Sequence, residues 1–161
     1  MIVIVMGVVG AGKTTVGQLL AQELGWQFAD ADDFHPLANI EKIRRGIPLT
    51  DDDRSPWLDR LREFLLDCVT RQCNLVLACS ALKRSYRQEL QVGPELQFVY
   101  LKGNGDLIAE RLRSRHDHFA DVQILASQLA DLEEPEDAIP VDIARPPEEI
   151  VKEIRKQLRV A

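Results

Sequence analysis

The run Ile2-Val3-Ile4-Val5-Met6 passes directly into Gly7-Val8-Val9-Gly10-Ala11-Gly12-Lys13-Thr14, and this junction restricts the fold more than any other part of the chain. A short run of mostly β-branched residues suits a strand buried on both faces, as in a parallel sheet. The stretch after it matches G-x-x-x-x-G-K-[ST], a loop whose backbone N–H groups turn inward around phosphate oxygens. Lys13 supplies a point charge for the β- and γ-phosphates, and the Thr14 hydroxyl suits Mg²⁺. Gly7, Val8, Val9, Gly10, Ala11, Gly12, Lys13 and Thr14 are therefore the candidate nucleotide contacts. Residues 14–24 carry Val16, Leu19, Leu20 and Leu24 at helical spacing, and Gly25 ends them. The start of that helix adds a partial positive charge beneath the phosphates.

The same alternation of strand and helix signals continues. Residues 27–30, 75–79, 97–101 and 139–143 read as further strands. Residues 37–45 read as a short helix, stopped by Gly46 and Pro48. Thr50 with Asp53 resembles a capping box opening a long helix with Trp57, Leu58, Leu61, Leu65 and Val69 on one face. Residues 82–90, 106–113 and 123–132 read as helices, residues 114–121 as a charged loop, and Pro146-Pro147 as the start of a last helix. This order predicts one α/β domain over residues 1–161 with a parallel sheet, and ligands beyond the carboxyl ends of its strands.

The second strand runs into Asp30-Ala31-Asp32-Asp33-Phe34-His35. Acids there can hold Mg²⁺ or its waters, or accept the proton of an attacking hydroxyl. Alternation along an extended segment puts Asp30 and Asp32 on one side. An acidic turn capping the following helix is the alternative. Many phosphate-loop enzymes place an acid at the end of the third strand, where this chain has Cys79 and Ser80, so Asp30 is the nearest metal partner. Arg54 is suited to gripping a carboxylate with two parallel hydrogen bonds. Lys83 and Arg87, four apart, fall on one helix face aimed at the site. Arg111, Arg113, Arg115, His116 and His118 form a basic segment that suits either a solvated face or a lid closing over phosphates.

The 161 residues carry a net charge of −6, which argues against a general nucleic-acid binder. The hydrophobic fraction is 45%, yet no apolar run is long enough to span a bilayer. Cys68, Cys73 and Cys79 lack C-x-x-C spacing and read as reduced thiols of a cytoplasmic protein.

Three stretches together carry a resemblance: Asp30 to Pro36 with Asn39-Ile40, Gly46 to Arg54 with Pro56-Trp57-Leu58, and Cys79 to Arg87. Tyr100 to Gly103, His118-Phe119, Ser127-Gln128 and Leu132 to Pro135 add to it. The chain resembles the gluconate kinase (gluconokinase) family over nearly its whole length. That resemblance implies a P-loop, three-layer α/β/α fold like shikimate kinase and the nucleoside monophosphate kinases. It implies a five-stranded parallel sheet in order 2-3-1-4-5, a substrate-binding region about 33–60 and a lid about 112–122. It implies ATP and Mg²⁺ as cofactors and phosphorylation of D-gluconate at its 6-hydroxyl. The nucleotide loop then runs from Gly7 to Thr15, and Lys13 is catalytic, with Asp32 as general base and Arg111 and Arg115 as lid residues on ATP phosphates. Thr14 and Asp30 serve Mg²⁺, and Asp32, His35, Arg54, Lys83 and Arg87 bind the sugar acid. The family is often dimeric, so a homodimer is expected. Many members have Ser at the position of Val9, Gly at that of Ala31, and Arg-Lys-Gly-His-Phe where this chain reads Arg115-His116-Asp117-His118-Phe119. A kinase for another small hydroxy acid such as shikimate, or a non-catalytic ATP-dependent switch, are the rival readings.

Overall fold

A computed structural model describes residues 1–114 and 118–159. It contains five strands, β1 (Ile2–Met6), β2 (Gln27–Asp30), β3 (Leu75–Ala78), β4 (Leu96–Lys102) and β5 (Ile139–Asp142). Seven helices connect or follow them: α1 (Lys13–Leu24), α2 (Leu37–Arg44), α3 (Asp51–Thr70), α4 (Arg84–Leu90), α5 (Gly105–Arg113), α6 (His118–Asp131) and α7 (Pro147–Leu158). The strands form one parallel sheet in the order β2-β3-β1-β4-β5, as the resemblance implied. The central strand β1 is buried along its entire length, which explains why its sequence shows no polar alternation.

Side-chain alternation divides the core into two layers. Val3, Val5, Val76, Val99 and Leu101 pack with Val16 and Leu20 of α1, Ile108 and Leu112 of α5, and Ile150 and Ile154 of α7. Ile2, Ile4, Met6, Leu75, Leu77, Phe98 and Tyr100 pack on the other face with Trp57, Leu61 and Leu65 of α3 and with Tyr86 and Leu90 of α4. Each such large side chain contributes on the order of 1.5–3 kcal/mol by leaving water. The two layers hold the sheet rigid, so its carboxyl edge presents the loops after β1, β2 and β3 in fixed positions.

The helix starts follow local chemistry where it is strong. The capping box at α3 is formed: the Thr50 hydroxyl accepts the Asp53 N–H at 3.1 Å, and an Asp53 oxygen accepts the Thr50 N–H at 2.9 Å. Two boundaries differ from expectation by more than one residue. The fourth helix begins at Arg84 rather than at residue 82, because Ala81 takes a left-handed φ of 47° and Lys83 is extended. The segment expected as a loop over 114–121 is helical from His118 onward. Among the described residues no helix is long and apolar enough to cross a membrane.

Candidate active site

The loop after β1 is shaped by glycine. Gly10 and Gly12 have φ of 81° and 97°, in the left-handed region that other residues avoid. A Cβ on Gly10 would also meet Leu112 at 2.8 Å, so the loop rests directly on α5. Gly12 caps α1, and no atom lies within 4 Å of where its Cβ would be. The outer wall of the loop is therefore open beside a helix N-terminus, as a phosphate cradle requires. Lys13 folds back across it, its Nζ donating to the Val8 carbonyl at 3.0 Å.

A cavity of about 240 Å³ adjoins this loop. Val9, Gly10, Gly12, Lys13, Thr14 and Thr15 line one end. Asp30, Asp32 and His35 enter from the end of β2, and Ala78, Cys79 and Ser80 from the end of β3. Ile43, Pro48, Leu49, Arg54 and Trp57 close the far side, and Ile124, Ser127 and Gln128 of α6 complete the wall. The carboxyl ends of β1, β2 and β3 thus converge on one cavity. The turn after β4 does not join the cavity; Gly103 packs there so closely on Ile143 that a Cβ would meet it at 2.3 Å.

Asp30 and Asp32 are brought together, though by a turn and not by strand alternation. Residues Ala31–Phe34 form one 3₁₀ turn, and an Asp30 oxygen caps it by accepting the Asp32 N–H at 2.9 Å. The other Asp30 oxygen accepts from the Thr14 hydroxyl at 3.0 Å. Asp30 is thus the cap of the turn, and its second oxygen faces the phosphate loop. Asp32 keeps contact with solvent, but the cavity walls remove part of its water and Asp30 lies alongside, both of which raise its pKa; Lys13 acts in the opposite sense. Cys79, at the position of the missing third-strand acid, is fully buried and its thiol is pushed up to about 12, so it is an inert wall.

His35 is buried, stacked on Trp57 with ring centroids 4.5 Å apart, and held neutral with a pKa pushed down to about 4 by burial and by Arg54. Arg54 Nη1 donates to Tyr86 Oη at 3.0 Å and to Asp131 Oδ2 at 2.9 Å. Tyr86 Oη in turn donates to Asp51.

Thr14 and Asp30 present hard oxygen donors side by side. Among the described residues no group of three or more His, Cys, Asp or Glu forms a closed metal cage. This donor set fits Mg²⁺, which takes one or two protein oxygens and completes its shell with phosphates and water. The open glycine cradle fits the phosphates of a nucleotide.

The shikimate kinase family matches residues 9–159. A gluconokinase from Gluconobacter oxydans is 49% identical over 140 residues, covering 86% of this chain and 78% of that protein. The crystal structure of a gluconokinase from Sinorhizobium meliloti superposes with a TM-score of 0.88 at 42% identity, covering 98% of this chain and 90% of the other. The chain belongs to the gluconokinase family. A sugar kinase from Janibacter sp. HTCC2649, with a TM-score of 0.91 at 43% identity, covers 99% of this chain and 95% of its own and shares the same architecture.

Within that gluconokinase frame, some residues named from sequence lie elsewhere. Lys83 and Arg87 do not share a helix face, since Lys83 precedes α4, and neither lines the cavity. Lys83 donates to Asp51 at 2.8 Å. Arg87 is buried and its guanidinium donates to the carbonyls of Ala81, Leu82 and Glu133 at 2.7, 3.0 and 2.8 Å, which satisfies a buried charge by bracing the loop before α4. Arg111 donates to the Ile143 carbonyl at 2.7 Å, outside the cavity wall. Gly7, Val8 and Ala11 support the loop without lining the cavity. Arg115 and His116 lie outside the described residues.

Three residues gain a place that the residue-by-residue reading did not give them. Gln128 accepts the Val9 N–H at 2.7 Å, so α6 holds the loop at the position where many family members have Ser. Trp57, expected only as core, donates to the Ala31 carbonyl at 2.7 Å and forms the floor beneath His35. Asn39 bridges His35 and α3. Ser127-Gln128 and Asn39 stood out only through the resemblance, and Trp57 through both the resemblance and its helical spacing.

Proposed function

We propose that this chain transfers the γ-phosphoryl group of ATP to the 6-hydroxyl of D-gluconate, giving 6-phosphogluconate and ADP. One observation carries the reading: a single cavity joins Lys13 and Thr14 of the phosphate loop to Asp32, and Asp32 to His35 and Arg54. A phosphate-binding end and a donor-rich end are thereby separated by one carboxylate. That is the arrangement needed to bring an anionic polyhydroxy acid up to a nucleotide. The gluconokinase names of its relatives supply the particular acid.

In this reading Asp32 accepts the proton of the 6-hydroxyl while the new O–P bond forms and the bond to the ADP oxygen breaks. Its raised pKa makes it a stronger base than an ordinary carboxylate. Lys13 and the loop N–H groups hold the phosphates and stabilise the charge that moves onto ADP. Thr14 and Asp30 hold Mg²⁺, which when bound neutralises phosphate charge. Arg54 and His35 orient the sugar acid. Arg111 and Arg115, before and within a lid of about residues 112–122, meet the phosphates on closure. A substrate region about 33–60 and a homodimer complete the reading. A cytoplasmic setting is supported by the free thiols of Cys68, Cys73 and Cys79.

The test is coupled ADP release with Mg·ATP and D-gluconate, beside D-glucuronate, shikimate and glycerate. Turnover on D-gluconate alone is expected. Preference for another acid would overturn the substrate, and ATP binding without turnover on any of the four would overturn the kinase reading.

A further inference from the structure

His35 lies flat on Trp57, with 11° between the rings. Stacking fixes the plane of the imidazole but not which nitrogen carries its proton. Asn39, near the start of α2 and itself buried, settles that choice. Its Nδ2 lies 2.8 Å from the Asp53 carbonyl oxygen and 3.2 Å from His35 Nδ1. A carbonyl oxygen only accepts, so Asn39 must turn its NH₂ toward Asp53, and this fixes the amide orientation. The same NH₂ then directs its second hydrogen at His35 Nδ1. A protonated Nδ1 would set two donors against each other. Nδ1 therefore accepts, and the single ring proton sits on Nε2. The charged groups bearing on the ring agree with a neutral imidazole, since Arg54 faces it from α3.

Among the described residues no buried side-chain nitrogen or oxygen lacks a hydrogen-bond partner. Nε2 has no partner among those residues, so it is reached from the cavity that His35 lines.

We propose that Asn39 is a positioning residue that locks His35 as the Nε2–H tautomer, so that His35 presents the substrate with one neutral hydrogen-bond donor. The substrate clause rests on the functional reading above; the tautomer itself does not. The group opposite Nε2 must then be an oxygen with a free lone pair, a hydroxyl or carboxylate oxygen of the sugar acid. An ammonium or other pure donor placed there is refused, because it meets a donor that cannot reverse. A histidine free to exchange tautomers would accept either.

Long-range ¹H–¹⁵N spectra of uniformly ¹⁵N-labelled protein at pH 7 test this directly. The chain has three histidines, and loss of one set of signals in His35→Gln assigns His35. A pyridine-type Nδ1 and a pyrrole-type Nε2 are expected; an Nδ1–H tautomer or an imidazolium would overturn the proposal. In Asn39→Asp the carboxylate accepts where the amide donated, so the proton moves to Nδ1. The KM for D-gluconate should then rise about tenfold, with the KM for ATP and kcat changing by no more than about twofold. His35→Gln, which keeps an N–H donor near Nε2, should retain most of the affinity, and His35→Leu should lose about tenfold. A tautomer change in Asn39→Asp that leaves the D-gluconate KM unchanged would also overturn it. Should these variants fail to fold, the double variant His116→Gln/His118→Gln leaves His35 as the one histidine, and its spectrum decides. An Nε2–H spectrum in a protein that does not turn over D-gluconate would uphold the lock and overturn the functional reading instead.

Discussion

The Thr14 hydroxyl donates to Asp30 Oδ2 at 3.0 Å, tying the phosphate loop to the end of β2. The two residues are 16 apart in the chain and meet because β2 ends level with the loop, on the far side of β3. In the proposed metal site their oxygens take the place that a third-strand acid has elsewhere, since Cys79 at that position is buried and stays protonated. Asp30→Asn keeps the cap on the 3₁₀ turn, because an amide oxygen still accepts the Asp32 N–H. It removes the charge that favours a divalent cation. The Mg²⁺ concentration needed for half-maximal ADP release should rise about tenfold or more, with the D-gluconate KM nearly unchanged. An unaltered Mg²⁺ titration would remove Asp30 from the metal site.

Asp32→Asn separates catalysis from stability. Loss of the proposed general base should lower kcat by about 10²–10⁴ while ATP binding, followed by nucleotide fluorescence, stays close to wild type. The raised pKa of Asp32 means that the folded state holds its proton more tightly than the unfolded chain. Stability from that proton is complete below the ordinary value of 3.8 and is lost as pH rises through the raised value. At neutral pH the carboxylate is therefore a burden on the fold, and Asp32→Asn should melt no lower than wild type. The same shift places the acid limb of wild-type kcat/KM above 3.8. A variant with wild-type turnover would sink the base assignment, and one that melts well below wild type would show that the charge supports the fold.

The parts of this architecture that could be read from sequence are those set by neighbours in the chain. The β1 run, the glycines of the loop and the Thr50–Asp53 capping box act over a few residues, and each stands where its local chemistry puts it. The parts that could not be read depend on distant partners. Gln128 meets Val9 across 119 residues, and Asp131 meets Arg54 across 77, and neither pairing leaves a local signature. The Lys83–Arg87 spacing predicted a shared helix face on a helix beginning at residue 82, two residues before its actual start. Arg87 instead holds the carbonyls of Ala81 and Leu82, which belong to the turn that delays it. Spacing alone cannot tell a basic residue aimed at a ligand from one that braces its own backbone.

Asp53 links the proposed substrate region to acid stability. Hydrogen bonds from Lys42 and from Thr50 hold its pKa down to about 2, from an ordinary value of 3.8. The lowered pKa means that this contribution is complete above 3.8 and is lost as pH falls toward about 2. Asp53→Asn keeps an acceptor for the Thr50 N–H but has no proton to gain. Its urea midpoint should be lower than wild type at neutral pH, and the gap should close between pH 4 and about 2. Parallel curves for the two proteins over that window would show that Asp53 does not carry the effect.

Arg54 binds three elements together, and its removal should register in two separate measurements. Nη1 reaches Tyr86 of α4 and Asp131 at the end of α6, while the side chain, only 7% exposed, also lines the cavity. Breaking a fully buried ion pair costs about 3–5 kcal/mol, because the partner is left as an unpaired charge. Asp131 is 28% exposed and would keep part of its hydration. The loss in Arg54→Ala should therefore be smaller, about 1–3 kcal/mol by urea unfolding. Asp131→Asn removes the same ion pair but leaves the guanidinium in the cavity, so it reports the structural share alone. If Arg54 also grips the carboxylate of the sugar acid, the D-gluconate KM should rise at least about tenfold in Arg54→Ala and only slightly in Asp131→Asn, with the ATP KM unchanged in both. Equal rises in the two variants would mean that Arg54 acts on the substrate only through the placement of α6.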